Sequence, residues 1–375
     1  MKSFLTSRPT LLGGLLLAGA LLAPAAATAD NGRRYLQTNL VADVPGVAPV
    51  TDPNLVNPWG LSRNATSAWW VSDAGTGLST LYNGAGAKLA LVVTVPSGAG
   101  LPAPSTPTGT VFSGSADFEV APGRPARFLF CTEEGTISGW NPGASPVTAI
   151  NKVDHPGAIY KGLAIAQIAG ANYLYAANFH AGTVEVYDRT FTQVNLGEWA
   201  FRDPNVPWDY APFNVQAIGE EIYVTYAKQD TEKIDEIAGL GRGLVTVFST
   251  AGQLKHRLQW GPWMNAPWGV ALAPADFGRY SNHILIGQFG SGKIVAFDPV
   301  DGSFKGYVRN AHNQPLKIEG LWALSFGSGG QSGPANSLYF TAGPDDETHG
   351  LFGVLTAIVD DKSQGKGGDD EGDEE

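Results

Sequence analysis

Two histidines stand at matching positions of the chain, each two residues after a side chain that could share a ligand. His180 follows Asn178, and His349 follows Glu347. The chain has only six histidines, so finding two in equivalent turns is a specific signal. Imidazole beside carboxylate or amide oxygens can hold a divalent metal or act as an acid–base pair. We therefore predict His180, His349 and Glu347 as candidate catalytic residues, with ordinary polar turns as the open alternative.

A repeat of about 50 residues must position these side chains. Six short apolar stretches have central positions 60, 109, 162, 214, 269 and 320, which lie 49, 53, 52, 55 and 51 residues apart. A strand–turn–strand pattern follows each stretch. In five repeats an aromatic residue precedes a turn-former, as in Tyr82-Asn83 and Phe297-Asp298, which predicts the end of a third strand. The sequence therefore predicts an all-β fold, a six-bladed β-propeller with four-stranded blades.

The sixth repeat lacks a fourth strand, because only the segment 351–359 follows Tyr339 with strand-like composition. The segment 35–41 resembles a strand and has no partner in the first repeat. Pairing it with the last blade would remove two exposed sheet edges. We therefore expect the N-terminal strand to complete the last blade and close the ring, within a propeller domain of residues 30–360.

In each blade, the loop that leads into the first strand and the turn between the second and third strands open on one face. Both sets are polar in this chain. Loops that a rigid scaffold brings together are the usual place of a binding site. The candidate ligand-binding residues on this face are Asn57, Asp73, Glu133, Asn178, Tyr226, Lys228, Asp230, Asn265 and Gln288. Each of them could instead serve turn geometry alone.

An insertion at the inner turn of the fourth blade, residues 228–243, is expected to overhang the same face. It could act as a lid or a partner-contact loop, or be only a long surface loop. The single cysteine, Cys131, lies in a strand-like segment. We predict a buried, inert thiol and a ring closed by strand pairing without a disulfide.

The two ends of the chain have compositions of their own. Residues 1–29 combine a basic start, an apolar run and a small-x-small site, which predicts a signal peptide and a periplasmic or extracellular location. Residues 361–375 hold seven acids and two lysines, which predicts a disordered tail. The net charge of −11 argues against a nucleic-acid partner. No second apolar segment indicates membrane insertion, and we expect a monomer.

Several stretches resemble a known family. They are 52–60, 135–141, 173–182, 223–230, 265–269 and 349–353. They resemble an exported bacterial propeller family, similar to NHL-repeat propellers, for which no reaction is established. More distantly, the chain is similar to gluconolactonase-like propellers, which hold a divalent metal at the axis with Glu, Asn and Asp. That similarity implies Glu319, Asn214 and Asn57 as candidate ligands of one calcium or zinc ion; cofactors are otherwise unknown.

Two functions remain. The first is a secreted binding scaffold that holds a small molecule, a glycan, a peptide or a surface protein on the loop face. The alternative is a metal-dependent hydrolase or lyase acting on a small ester-like or lactone-like substrate. We favour the binding scaffold, because no motif specifies a reaction and a fold alone does not imply one.

Overall fold

The computed structural model describes residues 33–358. The predicted signal peptide and the predicted acidic tail lie outside this range. The described residues form 27 strands and one 3₁₀ turn, Gly278–Tyr280, and contain no α-helix. Accordingly, the described part of the chain has no helix of the length and apolarity needed to span a bilayer.

The strands form six antiparallel blades, as predicted. Strands β1 (Tyr35–Ala42) and β2 (Val50–Thr51) precede blade 1, which contains β3 (Pro58–Ser62), β4 (Trp69–Asp73), β5 (Leu78–Tyr82) and β6 (Val93–Thr94). Blade 2 contains β7 (Pro107–Phe112), an inserted hairpin of β8 (Glu119–Ala121) and β9 (Arg124–Pro125), and then β10 (Phe128–Thr132), β11 (Thr136–Trp140) and β12 (Ile150–Asp154). Blade 3 contains β13 (Tyr160–Ile168), β14 (Ala171–Asn178), β15 (Thr183–Tyr187) and β16 (Gln193–Val194).

The second half of the chain repeats the pattern. Blade 4 contains β17 (Tyr210–Ile218), β18 (Glu221–Lys228), β19 (Leu244–Ser249) and β20 (Leu254–Arg257). Blade 5 contains β21 (Pro267–Leu272), β22 (Ile284–Gln288), β23 (Lys293–Phe297) and β24 (Phe304–Tyr307). Blade 6 contains β25 (Leu321–Phe326), β26 (Leu338–Ala342) and β27 (Leu351–Ala357), with β1 as its fourth strand and β2 added in parallel.

Ring closure by the N-terminal strand is confirmed. β1 runs antiparallel to β27, from Tyr35 opposite Ala357 to Ala42 opposite Leu351. Tyr35 is fully buried, and its hydroxyl donates to the carbonyl of Phe277 at 2.9 Å and accepts from the amide of Tyr280 at 3.2 Å. The closing strand is therefore tied to blade 5 as well as to blade 6.

The turn signals of the sequence mark the ends of third strands, as predicted. β5 ends at Tyr82 and β23 ends at Phe297. The side chain of Asn83 then accepts hydrogen bonds from the amides of Ala85 and Ala87, both at 2.9 Å. The side-chain oxygen of Asn83 thus serves backbone N–H groups that have no partner strand in the hairpin turn.

The inner strands crowd together at the axis, which explains the small residues at the repeat centres. A Cβ atom on Gly60 would collide with the carbonyl oxygen of Thr108, and one on Gly109 with the amide of Leu163. Only glycine permits such a close approach of backbones. The first-strand centres therefore lie next to one another around the ring.

The sixth repeat centre was placed three residues too early. Gly320 precedes β25 and has a φ of +61°, so it belongs to the loop rather than to the strand. A Cβ atom on Gly269 would touch the backbone of Trp322 and Leu324, which puts Ala323 at the equivalent position. The error arose because Glu319-Gly320-Leu321 imitates the spacing of the other repeats.

Cys131 lies in β10, where its side chain is fully buried and its thiol is free rather than part of a disulfide. Burial raises the pKa of Cys131 to about 12, so the thiolate is not available at neutral pH. The prediction of a buried thiol is confirmed.

Candidate binding site on the propeller axis

The axis of the propeller is filled by large aromatic side chains. Trp59 and Trp322 stack with ring centroids 3.5 Å apart. Trp268 meets both edge-on, at 6.0 and 5.9 Å, and Phe213 lies 5.8 Å from Trp322. We call these four buried residues the aromatic plug. They occupy corresponding positions of the first strands of four blades, so each of these blades places one aromatic ring at the axis.

A buried lysine lies on the plug. Lys161, in β13, is only 1% exposed, and its Nζ contacts carboxylate oxygens of Glu133 at 2.5 Å and Asp235 at 3.1 Å. The same atom lies 5.3 Å from the ring centroid of Trp59 and 5.7 Å from that of Phe179. A buried ammonium ion needs such partners, because losing its hydration is costly.

The ammonium ion of Lys161 stays protonated despite its burial. Burial works to lower the pKa of Lys161, but Glu133, Glu236 and Asp235 raise it, and the net shift is upward. Lys161 is therefore a fixed positive charge at the axis rather than a base or a nucleophile.

Two further carboxyl groups face this charge. Burial raises the pKa of Glu236 to about 8, with Lys161 opposing the shift and Glu347 and Asp235 adding to it. Burial likewise raises the pKa of Glu347, although Asn57 opposes the shift. Burial is the main cause of the shift at Glu236, and it favours the protonated form of that carboxyl group.

Asn57 links the carboxyl group of Glu347 to the aromatic plug. Its Nδ2 donates to Glu347 at 2.7 Å, and its Oδ1 accepts from the indole of Trp322 at 3.0 Å. Asn57 adopts a left-handed backbone conformation, with φ of 46°, which asparagine tolerates better than most residues. The amide is thereby fixed in one orientation.

The turn that carries Glu347 has an unusual backbone. Asp345, Asp346 and Glu347 all have positive φ, of 56°, 49° and 65°. Non-glycine residues in this region cost about 1 kcal/mol or more each, and such conformations concentrate at functional sites. In this turn, the carboxyl group of Glu347 accepts the hydrogen bond from Asn57 at the axis.

A cavity of about 520 Å³ opens beside this network. Its lining residues come from the insertion of blade 4 and from loops of blades 5 and 6: Asp235, Glu236, Ala238, Phe289, Gly290, Ser291, Gly292, Lys317, Glu319, Gly320, Gly343, Asp346 and Glu347. Five of these are acidic and one is basic. Phe289 is half-buried and stacks on Trp322 with centroids 4.1 Å apart. We call this space the axial cavity.

The insertion of blade 4 overhangs the loop face, as expected. Besides the contacts of Asp235 with Lys161, the amide of Gly239 donates to Oδ1 of Asn265 at 2.6 Å. The amide of Ile237 donates to the carbonyl of Lys228 at 2.7 Å. The segment 228–243 is thus fastened at both ends and contributes carboxyl groups to the axial cavity.

The three candidate catalytic residues are not brought together. His180 is exposed, and its Nδ1 lies 3.3 Å from the carbonyl oxygen of Lys233. His349 points to Asp43, with Nδ1 2.8 Å from Oδ2, and this contact raises the pKa of His349. Only Glu347 reaches the axis. Among the described residues no hydrogen bond or ion pair joins any two of the three candidates.

The predicted ligand-binding residues divide into four groups. Asn57 and Glu133 belong to the axial network, and Tyr226 lies beside a cleft at the side of the propeller. Five others support loops or neighbouring strands: Asn178 donates to Glu185, Lys228 pairs with Asp209, Asp230 accepts from the backbone amide of Ile234, and the backbone amide of Asn265 donates to the side-chain oxygen of the buried Gln288. Asp73 is fully buried in blade 1, and burial raises its pKa well above the usual range.

The three residues proposed as metal ligands are dispersed. Asn214 donates to the carbonyl of Trp268 at 2.8 Å, Asn57 is engaged with Glu347 and Trp322, and Glu319 is exposed at the cavity wall. Within residues 33–358, no three His, Cys, Asp or Glu side chains are arranged to hold a metal ion.

Sequence reasoning missed the residues at the centre of the site, Lys161, Asp235 and Glu236. Lys161 stood in a repeat centre that was interpreted only as structural, and the two acids stood in an insertion of undecided role. The available signal was a single charged residue at the start of an otherwise apolar strand, since such a charge must find partners.

No family model matches the chain. The chain is 30% identical over 328 residues to the uncharacterized protein R648 of Acanthamoeba polyphaga mimivirus, covering 84% of this chain and 78% of that protein. The chain belongs to its family. The uncharacterized protein L690 of the same virus is also 30% identical, over 329 residues and 84% of each chain. These R648-like relatives are viral, so the bacterial origin that the resemblance implied is not supported.

Solved structures agree with the fold of this R648-like chain. The soluble aldose sugar dehydrogenase of Escherichia coli superposes with a TM-score of 0.52 at 11% identity, covering 86% of this chain and 100% of that one. The outer coat vertex of COPII on membranes gives a TM-score of 0.51 at 11% identity, covering 80% and 69%. At this identity the similarity concerns the propeller fold alone.

Proposed function

We propose that this protein is an exported binding scaffold whose axial cavity holds a ligand with a protonated amine or guanidinium group. The observation that carries the proposal is the charge of the cavity wall, where five acidic residues face one lysine. A cavity of about 520 Å³ has the size of a small-molecule site. A ligand cation would favour the ionised forms of Glu236 and Glu347 and pair with them.

The floor of the axial cavity supports the same ligand class. Phe289 presents a partly exposed ring above Trp322, and cations bind favourably over aromatic faces. The protein already uses this arrangement for its own ammonium ion, because Lys161 lies over Trp59 and Phe179 between carboxylates. A ligand cation in the cavity would make the same kind of contacts, with the ring of Phe289 and with the carboxyl groups of the cavity wall.

The alternative, a metal-dependent hydrolase or lyase acting on a small ester-like or lactone-like substrate, has weaker support. His180 and His349 lie apart, and each is engaged with a different loop. The ammonium ion of Lys161 also supplies the positive charge that an axial metal was expected to bring. We therefore favour binding over catalysis.

Isothermal titration calorimetry with agmatine, which carries an amine and a guanidinium group, tests the proposal. The wild-type protein should bind agmatine, and the double variant E236Q/E347Q should weaken binding by about tenfold or more. The variant E220Q is the matched control, since Glu220 is an exposed acid at the opposite end of blade 4.

Three outcomes would count against the proposal: no heat of binding with agmatine or spermidine, equal affinity in E236Q/E347Q, or an equal loss in E220Q. Tight binding of calcium together with hydrolysis of a lactone would favour the alternative instead. Export rests on residues 1–29 and predicts that the secreted protein begins at Asp30 in a mass spectrum.

A further inference from the structure

We propose a second binding site, for a neutral oligosaccharide, in a cleft between blades 3 and 4. The cleft has a volume of about 600 Å³ and runs along the segments 181–184, 195–210 and the inner end of β18. It is separate from the axial cavity: the two share no lining residue. The inference goes beyond the proposed function and does not depend on it.

Two tryptophans stand at the cleft with their rings in solvent. Trp199 is 74% exposed and Trp208 is 92% exposed, and both line the cleft. Within the described residues neither indole makes a hydrogen bond or a ring contact. Six of the other eight tryptophans are buried, Trp59 and Trp322 among them, so the fold can bury such rings. Large exposed aromatic surfaces mark binding sites more often than structural positions.

The cleft also contains a buried hydroxyl group without a partner. Tyr226 is 4% exposed, and its hydroxyl oxygen has no hydrogen bond within the described residues. An unsatisfied buried polar group costs about 1–3 kcal/mol. The neighbouring carboxylate cannot serve it, because Asp203 is occupied by Arg257, Thr246 and the amide of Asn205. This oxygen has almost no accessible surface, so a ligand hydroxyl group, which can both donate and accept, would reach it once the cleft opens slightly around Tyr226.

The charges around the cleft favour a neutral ligand. The lining residues of the cleft include two acids, Glu198 and Asp203, and two bases, Arg202 and Lys233, so their formal charges cancel. This balance differs from the acidic excess of the axial cavity. A sugar ring offers an apolar face for an indole and hydroxyl groups that both donate and accept. A proline-rich peptide would also stack on tryptophans, but its backbone offers mainly acceptors.

The test is calorimetric titration of the wild-type protein with cellotriose, chitotriose, maltotriose and mannotriose, and with a proline decapeptide. We expect at least one trisaccharide to bind with a dissociation constant of about 1 mM or lower. W199A and W208A should each weaken that binding by about tenfold. Y226F, which keeps the ring and removes the unpartnered hydroxyl, should weaken it by a smaller factor.

Two controls separate this site from the rest of the molecule. W260A removes another exposed tryptophan, 61% exposed, outside the cleft and should leave trisaccharide binding unchanged. E236Q/E347Q should also leave it unchanged, whatever its effect on agmatine. The substituted tryptophans are exposed, so loss of folding is not expected. Absence of binding by all four sugars, equal loss in W260A, or binding of the proline peptide in place of the sugars would overturn the proposal.

Discussion

At the scale of single residues, the axial site is an arrangement of charges that no one segment contains. Lys161 comes from blade 3, Glu133 from blade 2 and Asp235 from the insertion of blade 4. Lys161 is only 1% exposed, so solvent screens its charge poorly, although the side chain of Asp235 is 68% exposed. We therefore expect the proposed ligand binding and the stability of this site to depend on protonation.

The first prediction concerns Glu236, whose pKa is raised to about 8 by burial. Only its ionised form attracts a cation, so the affinity for agmatine should rise as the pH increases from 6 to 8 and level off above. The charges of agmatine do not change in this range, because guanidinium and alkylamine groups titrate above about pH 10. Calorimetry at several pH values measures the slope, and E236Q should flatten it. A pH-independent affinity in the wild-type protein would contradict this role of Glu236.

The second prediction concerns Lys161. Replacing it with methionine leaves Glu133, Asp235 and Glu236 without their cation, and should lower the free energy of unfolding by about 2 kcal/mol at pH 8. The loss should be smaller at pH 5, where Glu236 is protonated and repulsion is weaker. Urea denaturation measures both values.

The control for this variant is K255M. Lys255 pairs with Glu221 at 3.2 Å, but both side chains are substantially exposed, so its loss should stay within about 0.5 kcal/mol. Similar destabilisation by K161M and K255M would show that the buried ammonium ion has no special role.

The sequence predicted the roles of individual residues less well than it predicted the fold. His349 was chosen because histidine is rare, yet it contacts Asp43, which is 306 positions away in the chain. Lys161 meets Asp235 across 74 positions. A sequence pattern shows the local turn around such a residue and does not show the blade that its side chain will meet.

At the scale of elements, the repeat spacing was sufficient to predict the blades. Strand and turn propensities are local, and an aromatic residue before Asn or Asp marks the same hairpin in four of the six blades. The closing strand was predictable for a global reason, since an unpaired edge strand is avoided. The sixth centre was misplaced because Gly320 matches the pattern in composition and spacing but lies in a loop.

A prediction at this scale concerns Tyr35 of the closing strand. Y35F keeps the ring but removes the hydroxyl that bonds the carbonyl of Phe277 and the amide of Tyr280. Both groups are then buried without a partner, so the free energy of unfolding should fall by about 1–3 kcal/mol. L36A, at an exposed neighbouring position, should change it by about 0.5 kcal/mol or less. Equal effects in urea denaturation would mean that the hydroxyl does not fasten the ring.

At the scale of the whole molecule, the aromatic plug joins parts that the repeats keep separate. Trp59, Phe213, Trp268 and Trp322 come from blades 1, 4, 5 and 6. A linear array of repeats can lose its end units one at a time. Here the ring is closed, and the opening of any of these blades also opens the plug. We therefore expect near-ultraviolet and far-ultraviolet circular dichroism to report one common unfolding transition.

W322A tests this view. Trp322 is fully buried, stacks on both Trp59 and Phe289, and holds Asn57 through its indole N–H. Its truncation should lower the free energy of unfolding by about 3–5 kcal/mol and abolish the near-ultraviolet signal of the stacked indoles. It should also weaken agmatine binding, because Asn57 would no longer be fixed beside Glu347. W208A removes the same side chain from the surface and should cost about 0.5 kcal/mol or less. If the two variants had equal free energies of unfolding, the contacts of the aromatic plug would not stabilise the ring of blades.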